Sequence, residues 1–418
     1  NPEYNWMYKA QPTGGGNRSE YWLRGRGLGG SSAVNGSVYV RGLPDDFDEW
    51  SRLGCDGWGW RDMKRCFEAI EHATGGPLRV TAHPGHSPLC DAAIAAAETM
   101  GIDVVDDLNG AEAQAIGYQP RTIHRGRRQS ASVAFLAAAR RRPNLEVLLH
   151  HDANRVIFDG TRAVGVELVS CTGQTRTVSA RQIILCAGAL NSPAILMRSG
   201  IGRAEDLRGL GIAPVVNAPE VGSNLREHRL LTLQFAVSGA SDNHRFSGLG
   251  LLSSLVRYYA LRSGPLAQAA FEVGGFINTQ TSAAGRPDAQ IGFAPFSLDK
   301  TTQRLRFERH AGALCGGYPM RPESAGQITL RSGDPKDRLL VSPNYLAEEI
   351  DRRVSIGIVR FIRALFAQPA MLAYGPRETW PGAPATSDDE IVDAFHRFGG
   401  AGFHAAGTSR MGSDQRSV

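Results

Sequence analysis

Three stretches of this chain hold residues whose types and spacing can do chemistry. The first is the run Gly25-Arg26-Gly27-Leu28-Gly29-Gly30-Ser31-Ser32-Ala33-Val34-Asn35-Gly36. Glycines let a backbone approach a flat ring or a pyrophosphate closely, and the exposed N–H groups and serine hydroxyls can hydrogen-bond what lies there. Asn35 adds an amide that both donates and accepts. On glycine content alone the run also fits an ordinary turn. Its Gly25-x-Gly27-x-x-Gly30 spacing formally matches the dinucleotide fingerprint, but no strand is expected before it, and Ser31-Ser32 stand where a helix should open. The second stretch is apolar Ile183-Ile184-Leu185 running into Cys186-Ala187-Gly188. It predicts a buried strand turning into a helix with Ser192 as its cap, Pro193 in its first position and Gly200 at its end. Such a turn suits a nucleotide packed against backbone. The third is His404, set between Phe403 and the small residues Ala405-Ala406-Gly407. A neutral imidazole can take a proton near pH 7, although a histidine among such neighbours also reads as a packed core residue.

The elements that must position these groups follow from pattern. Residues 1 to 30 read as irregular chain laid over other structure. Helical spacing predicts helices over 61–72 and 89–100. Short β-rich segments at 145–150, 155–158, 163–169 and 182–186, with turns at Asp159-Gly160 and Thr172-Gly173, predict a meander that ends in the buried strand. After Pro219 come sheet segments such as 290–294 and 326–330, a long helix over 348–367, and a last helix opened by a capping box from Ser387 to Glu390.

Bulk properties narrow the field. The chain has 418 residues, 42% hydrophobic and 21% charged, the balance of a globular protein with more than one core or a large inserted layer. No window is apolar for long enough to predict a membrane span. The formal charge of +5 comes from arginines interspersed with acids, so no nucleic-acid partner is expected. Six cysteines without a Cys-x-x-Cys pair argue against a disulfide scaffold and a zinc cluster, which points to a reducing, cytoplasmic setting. N-terminal targeting is not readable, since Asn1 is not an initiator. His83-Pro84-Gly85-His86 reads as a surface loop, so no metal is expected. His150, His151, His228, His244, His310 and His396 show no coordinated spacing, and no Gly-x-Ser-x-Gly elbow occurs.

The stretch from Gly25 to Gly42 and on to Asp48 resembles the first signature of the glucose-methanol-choline (GMC) oxidoreductases, and Gly188 to Gly202 resembles their second. Trp50 and Gly57-Trp58-Gly59-Trp60 look like the family's tryptophan-rich turn. Val221-Gly222-Ser223-Asn224-Leu225-Arg226-Glu227-His228 is similar to its Val-Gly-x-Asn-Leu-x-Asp-His element, with Glu227 in place of Asp. Phe403-His404-Ala405-Ala406-Gly407-Thr408-Ser409-Arg410-Met411-Gly412 resembles the stretch that holds the catalytic histidine.

That resemblance implies FAD, cradled by Gly29, Gly30, Ser31, Ser32, Asn35, Gly36 and Val38, with Ala187 and Gly188 against its adenosine half and Ala153 at adenine. Some members tether FAD through a histidine where this chain has Val34, so non-covalent binding is expected. The implied reaction is oxidation of an alcohol to an aldehyde or ketone by hydride transfer to flavin N5. His404 is then the general base, Phe403 a wall of the substrate site or a core residue, and oxygen or another acceptor takes the electrons. The implied fold is α/β (α+β), with a second domain on a largely antiparallel sheet. Its FAD-binding part would comprise residues 1–60, 130–229 and 400–418, a connecting or lid region 61–129, and a substrate-binding part 230–399. The family's true Gly-x-Gly-x-x-Gly loop would lie upstream of Asn1, and a second catalytic His or Asn beyond Val418. The same scaffold also serves lyases that cleave cyanohydrins, and a non-catalytic fragment unable to hold FAD is a further alternative. The choice among choline-like, sugar, aromatic and aliphatic alcohols stays open.

Overall fold

A computed structural model describes residues 3–14, 19–281, 285–301, 305–382, 385–414 and 416–418. The segment expected to be irregular is instead a hairpin: β1 (Asn5–Ala10) and β2 (Glu20–Gly25) pair antiparallel with Tyr8 opposite Trp22. Its inward side chains Tyr8, Ala10 and Trp22 are buried in the main core, and burial of alternate residues makes a strand of a sequence whose composition looks like loop. Trp22 donates its indole N–H to Glu20 Oε1 at 3.0 Å. The far side of β1 continues in parallel into Leu340–Ser342. A strand therefore does precede the Gly25-x-Gly27-x-x-Gly30 turn, while only a single 3-10 turn, Gly30–Ala33, follows it.

Helices α1 (Pro44–Arg52), α2 (Trp60–Ile70) and α3 (Pro88–Thr99) lead to the short strand β3 (Ala115–Tyr118). Pro44 and Pro88 each occupy a first helical position, where no intrahelical N–H bond is lost. The meander forms with β4 (His151–Asp159), β5 (Arg162–Ser170) and β6 (Thr175–Ser179). Its outer limbs differ from expectation. Residues 145–150 and 182–186 join no ladder among the described residues, His150 stands at φ +60, and Ile184, expected in a buried strand, is 75% exposed. Apolar composition makes a strand only where a neighbouring backbone offers its N–H and C=O groups in succession, and here the His150 carbonyl accepts the Cys171 N–H at 3.2 Å without a ladder following from it among the described residues.

Helix α4 (Gly188–Arg198) follows, and then the larger sheet. It is built from β7 (Arg229–Ala236), β8 (Val273–Ile277), β9 (Ala289–Ala294) and β10 (Gly312–Pro319), with α5 (Gly248–Leu261) between β7 and β8. Long helix α6 (Glu349–Phe366), edge strand β11 (Arg377–Trp380) and helix α7 (Asp388–Phe398) complete it. The strand order is β11-β7-β10-β9-β8-β3 followed by Asp103–Val104, antiparallel throughout except at that last pairing. The fold is thus mixed α/β with mostly antiparallel sheets. Glycine in β10 brings α6 down onto the sheet: a Cβ on Gly317 would stand 2.7 Å from Ile358 Cγ2. Phe366 of α6 stacks on Phe235 of β7, ring centroids 3.6 Å apart. Ser387 caps α7, accepting the Glu390 N–H at 3.3 Å while Glu390 Oε2 accepts the Ser387 N–H at 2.9 Å.

Because Trp22 is wholly buried and its neighbour Tyr21 is exposed, the hairpin gives an internally controlled test. Trp22→Ala is expected to lower unfolding free energy by about 3–5 kcal/mol, and Tyr21→Ala by less than about 0.5 kcal/mol, in denaturant titrations.

Candidate active site

β2 delivers the chain into a turn that only glycine can make. A Cβ on Gly25 would lie 2.1 Å from the Gly30 carbonyl oxygen, and Gly27, Gly29 and Gly30 all have positive φ. The turn forms one wall of a cleft of about 950 Å³. Its other walls are Trp6 to Tyr8 of β1, His151 to Ala153 at the start of β4, Ala187 to Asn191 at the start of α4, and the loop from Pro335 to Leu339. Six of the residues singled out by sequence therefore meet in one space: Gly29, Gly30, Ser31, Ala153, Ala187 and Gly188. The cleft fits a dinucleotide in size and chemistry. A Cβ added to Gly27, Gly30 or Gly188 would meet nothing, so backbone is open to the space, the first N–H groups of α4 border it, and the Arg24 and Arg198 guanidiniums line it.

Ser32, Asn35, Gly36 and Val38 stand outside that cleft's lining and are tied to the segment that follows. Ser32 Oγ accepts the Ala131 N–H at 2.8 Å, and Asn35 Oδ1 accepts the Ser37 N–H at 3.1 Å and an Arg128 guanidinium N–H. Gly36 accepts the Ala270 N–H at 2.9 Å, and Val38 bridges to Arg121.

Helix α4 begins earlier than expected. Its cap is Ala187, Ser192 accepts the Ala187 N–H at 3.1 Å from inside the helix, and Pro193 lies in the interior. An interior proline strands the carbonyl four residues back, here Ala189, and costs about 3 kcal/mol. Thr408 supplies the missing donor: its hydroxyl reaches the Ala189 oxygen at 2.6 Å from the chain's C-terminal motif. Gly200, with φ +86, follows the helix end as expected.

The histidine centre arises where two chain segments leave one strand pair. Arg229 and Leu230 of β7 pair with Ala401 and Gly400, and the Gly402 N–H donates to the His228 carbonyl at 2.8 Å. His228 and His404 are thereby brought side by side. A Cβ on Gly402 would lie 3.0 Å from His228 Cβ and 3.1 Å from His404 Nδ1, so a larger residue here would press on both rings' positions. Phe403 is held at φ +63 with its ring exposed, a conformation costing about 1–2 kcal/mol for a bulky residue. Beneath the pair, buried Glu227 Oε1 accepts the main-chain N–H of both His228, at 2.9 Å, and His404, at 2.7 Å. Its Oε2 stands 3.5 Å from the Arg24 guanidinium.

Burial pushes the Glu227 carboxyl up to about 7, against the pull of the two N–H groups and Arg24. Burial, then the nearby His404, pushes His228 down to about 4. His404, although the residue keeps an exposed surface, is lowered as well, by burial and then by Arg24. Both imidazoles are therefore neutral at pH 7, and the hydrogen bonds fix their tautomers. His228 Nε2 lies 3.0 Å from the Met320 carbonyl, which can only accept, so Nε2 carries the proton and Nδ1 does not. His404 Nδ1, 2.9 Å away, must then donate to His228 Nδ1. The lone pair of His404 is left on Nε2. Tyr318 of β10 stacks on His228 at 4.4 Å and 17° and keeps that ring in place.

His228 was passed over in the sequence for lack of spacing to any other histidine; its signal was its place after Glu227 in the Val221 to His228 element. Arg24, Tyr318 and Met320 gave no signal, since only the fold brings them in.

Family models described as GMC oxidoreductase match residues 10–230 and 322–418. The chain is 36% identical to the mitochondrial choline dehydrogenase of Mus musculus over 434 residues, which cover all of this chain and 72% of that protein. It is 34% identical to an alcohol dehydrogenase [acceptor] of Pseudomonas putida, covering 99% of this chain and 77% of that protein. The solved pyridoxine 4-oxidase from Mesorbium loti superposes with a TM-score of 0.85 at 29% identity, covering 99% and 80% of the two chains.

Thr408→Val keeps the side chain's shape and removes only its hydroxyl. It should lower stability by about 1–3 kcal/mol by leaving the Ala189 carbonyl unpaired, whereas the exposed Ser409→Ala should cost less than about 0.5 kcal/mol, both read in denaturant titrations.

Proposed function

This chain belongs to the GMC oxidoreductase family, alcohol-oxidising enzymes, and on that premise we propose that His404 Nε2 is the base that takes the alcohol's hydroxyl proton. The observation that carries the reading is the fixed tautomer chain from the Met320 carbonyl through His228 to His404, which leaves an imidazole lone pair on His404 Nε2 that no hydrogen bond among the described residues uses. Neutral imidazole at pH 7 is the competent form, and the burial and Arg24 charge that lower the His404 pKa keep it in that form. Glu227 holds its main chain, His228 its ring, and Tyr318 the His228 ring in turn. All three are positioning residues.

FAD, when bound, supplies the acceptor for the hydride that leaves the alcohol carbon. The residues suited to hold it are Gly29, Gly30 and Ser31 on the glycine turn, Ala153 on β4, and Ala187 and Gly188 at the head of α4, with Ser32, Asn35, Gly36 and Val38 continuing the turn toward the second sheet. Val34 carries no nucleophile, which supports non-covalent binding; acid precipitation should then leave the yellow colour in the supernatant rather than in the pellet. Phe403, exposed beside His404, is proposed as a wall of the alcohol site. Substrates are proposed to be small alcohols, as the names of the relatives suggest.

The test is the visible spectrum under anaerobic conditions with a panel of alcohols. Bleaching of the oxidised flavin bands by one of them is expected, and its rate should rise with pH as His404 loses its proton, with a midpoint below that of free imidazole. His404→Gln should slow bleaching by about 10²–10⁴ and flatten that pH dependence. A His404→Gln protein that bleaches at the parent rate would remove His404 from the reaction.

A further inference from the structure

We infer that α5 (Gly248–Leu261) rests in the surface of an anionic lipid bilayer. This helix is turned inside out. Its one buried side chain is Ser254, whose hydroxyl donates to the Arg245 carbonyl at 2.9 Å. On the same side Gly250 backs so closely onto the His244 carbonyl that a Cβ would stand 1.9 Å from it. The opposite side carries Leu249, Leu252, Val256 and Tyr259 in one stripe, exposed by 85%, 58%, 60% and 68%. A helix that only packs on its own protein does the reverse, burying the large apolar residues and leaving small polar ones to water.

Along the sequence, the charge within and next to the helix is of one sign. From Asn243 to Gly264 the sequence has no carboxylate and three arginines, Arg245, Arg257 and Arg262. Arg245 lies 3.3 Å from Asp242, just outside that span; Arg257 donates to the Ser263 hydroxyl, and Arg262 lies over the Tyr258 ring at 5.3 Å. An adjoining segment adds to the patch: Phe307 stacks on Phe246 just before α5, and Leu305 beside it is 80% exposed. An apolar ridge flanked by arginines and tyrosines is what an interfacial helix presents to acyl chains and anionic headgroups.

Length sets the mode of binding. At 14 residues the helix is about 21 Å long, too short to cross a bilayer, and among the described residues no helix is long and apolar enough to do so. It would lie in the plane of the interface. A second copy of the chain is a poorer occupant. A twofold pairing presents the same patch from both copies and so brings Arg245, Arg257 and Arg262 toward their own counterparts, which like charge opposes.

The test is flotation of the purified chain with vesicles of phosphatidylcholine alone and of phosphatidylcholine with phosphatidylglycerol at three to one. The expected result is flotation with the anionic vesicles, at least several-fold weaker with neutral ones, and lowered by high salt. Leu252→Glu/Val256→Glu changes only exposed residues and should reduce flotation at least tenfold while thermal unfolding stays within a few degrees of the parent. Failure of the parent to float, or flotation that the double variant retains, would overturn the inference. So would a parent that runs as a dimer on size exclusion and becomes a monomer in the double variant, which would make the face a self-association surface. The inference does not depend on the proposed chemistry, because flotation is read without turnover.

Discussion

A buried carboxylate that takes the main-chain N–H of two histidines from separate segments is the constraint on which the rest of the site depends. Burying Glu227 costs free energy, and its N–H donors and the Arg24 guanidinium offset that cost only if all three stand where they do. Each partner fixes a different part of the molecule: His228 the entrance to β7, His404 the C-terminal segment, and Arg24 the hairpin that leads into the glycine turn. The cleft and the histidine pair are thereby parts of one frame. Glutamate here, rather than the aspartate usual in the element it belongs to, adds one methylene of reach.

The C-terminal segment is stitched to that frame twice more. Arg226 and Ala406 exchange main-chain hydrogen bonds at 2.9 Å, and the Gly222 N–H meets the Thr408 carbonyl at 2.9 Å. The Thr408 hydroxyl then reaches α4, where an interior proline has left a carbonyl open. A local defect in one element is thus repaired by a residue more than two hundred positions away. The helix that borders the cleft and the loop that carries His404 cannot shift independently.

Much of this was legible in the sequence, and the failures have physical causes. Helix α6 and the capped helix α7 were readable because periodicity and capping are local properties, and the two glycine-rich motifs because their residue types are dictated backbone by backbone. The hairpin at the start was missed, since what makes Tyr8 and Trp22 strand residues is the core they meet, not their neighbours in sequence. Residues 182–186 erred the other way: they have strand composition and no ladder partner among the described residues. Pro193 looked like a helix start because nothing local reveals that Thr408 will supply a donor. His404 could be singled out by its motif, but the lone pair on its Nε2 follows from Met320, which no pattern connects to it. Helix α5 was not read from the sequence, and the way its apolar stripe faces is decided by Gly250 and Ser254, whose close packing only the fold shows.

Contact between Glu227 and His404 joins residues 177 positions apart, and the Thr408 to Ala189 bond spans 219. Loop closures of that length come late in folding, after local hairpins and helices have formed. A chain emerging from the ribosome would present the glycine turn, the meander and Glu227 before His404 is made, since all of them precede it in the sequence. Until His404 has been made, the main-chain N–H that it lends to Glu227 is missing, and the frame that joins the cleft to the histidine pair stays open. Order of synthesis thus sets an order of assembly, in which the hairpin, the glycine turn and the meander are all present before the contact that ties them to the histidine pair can form.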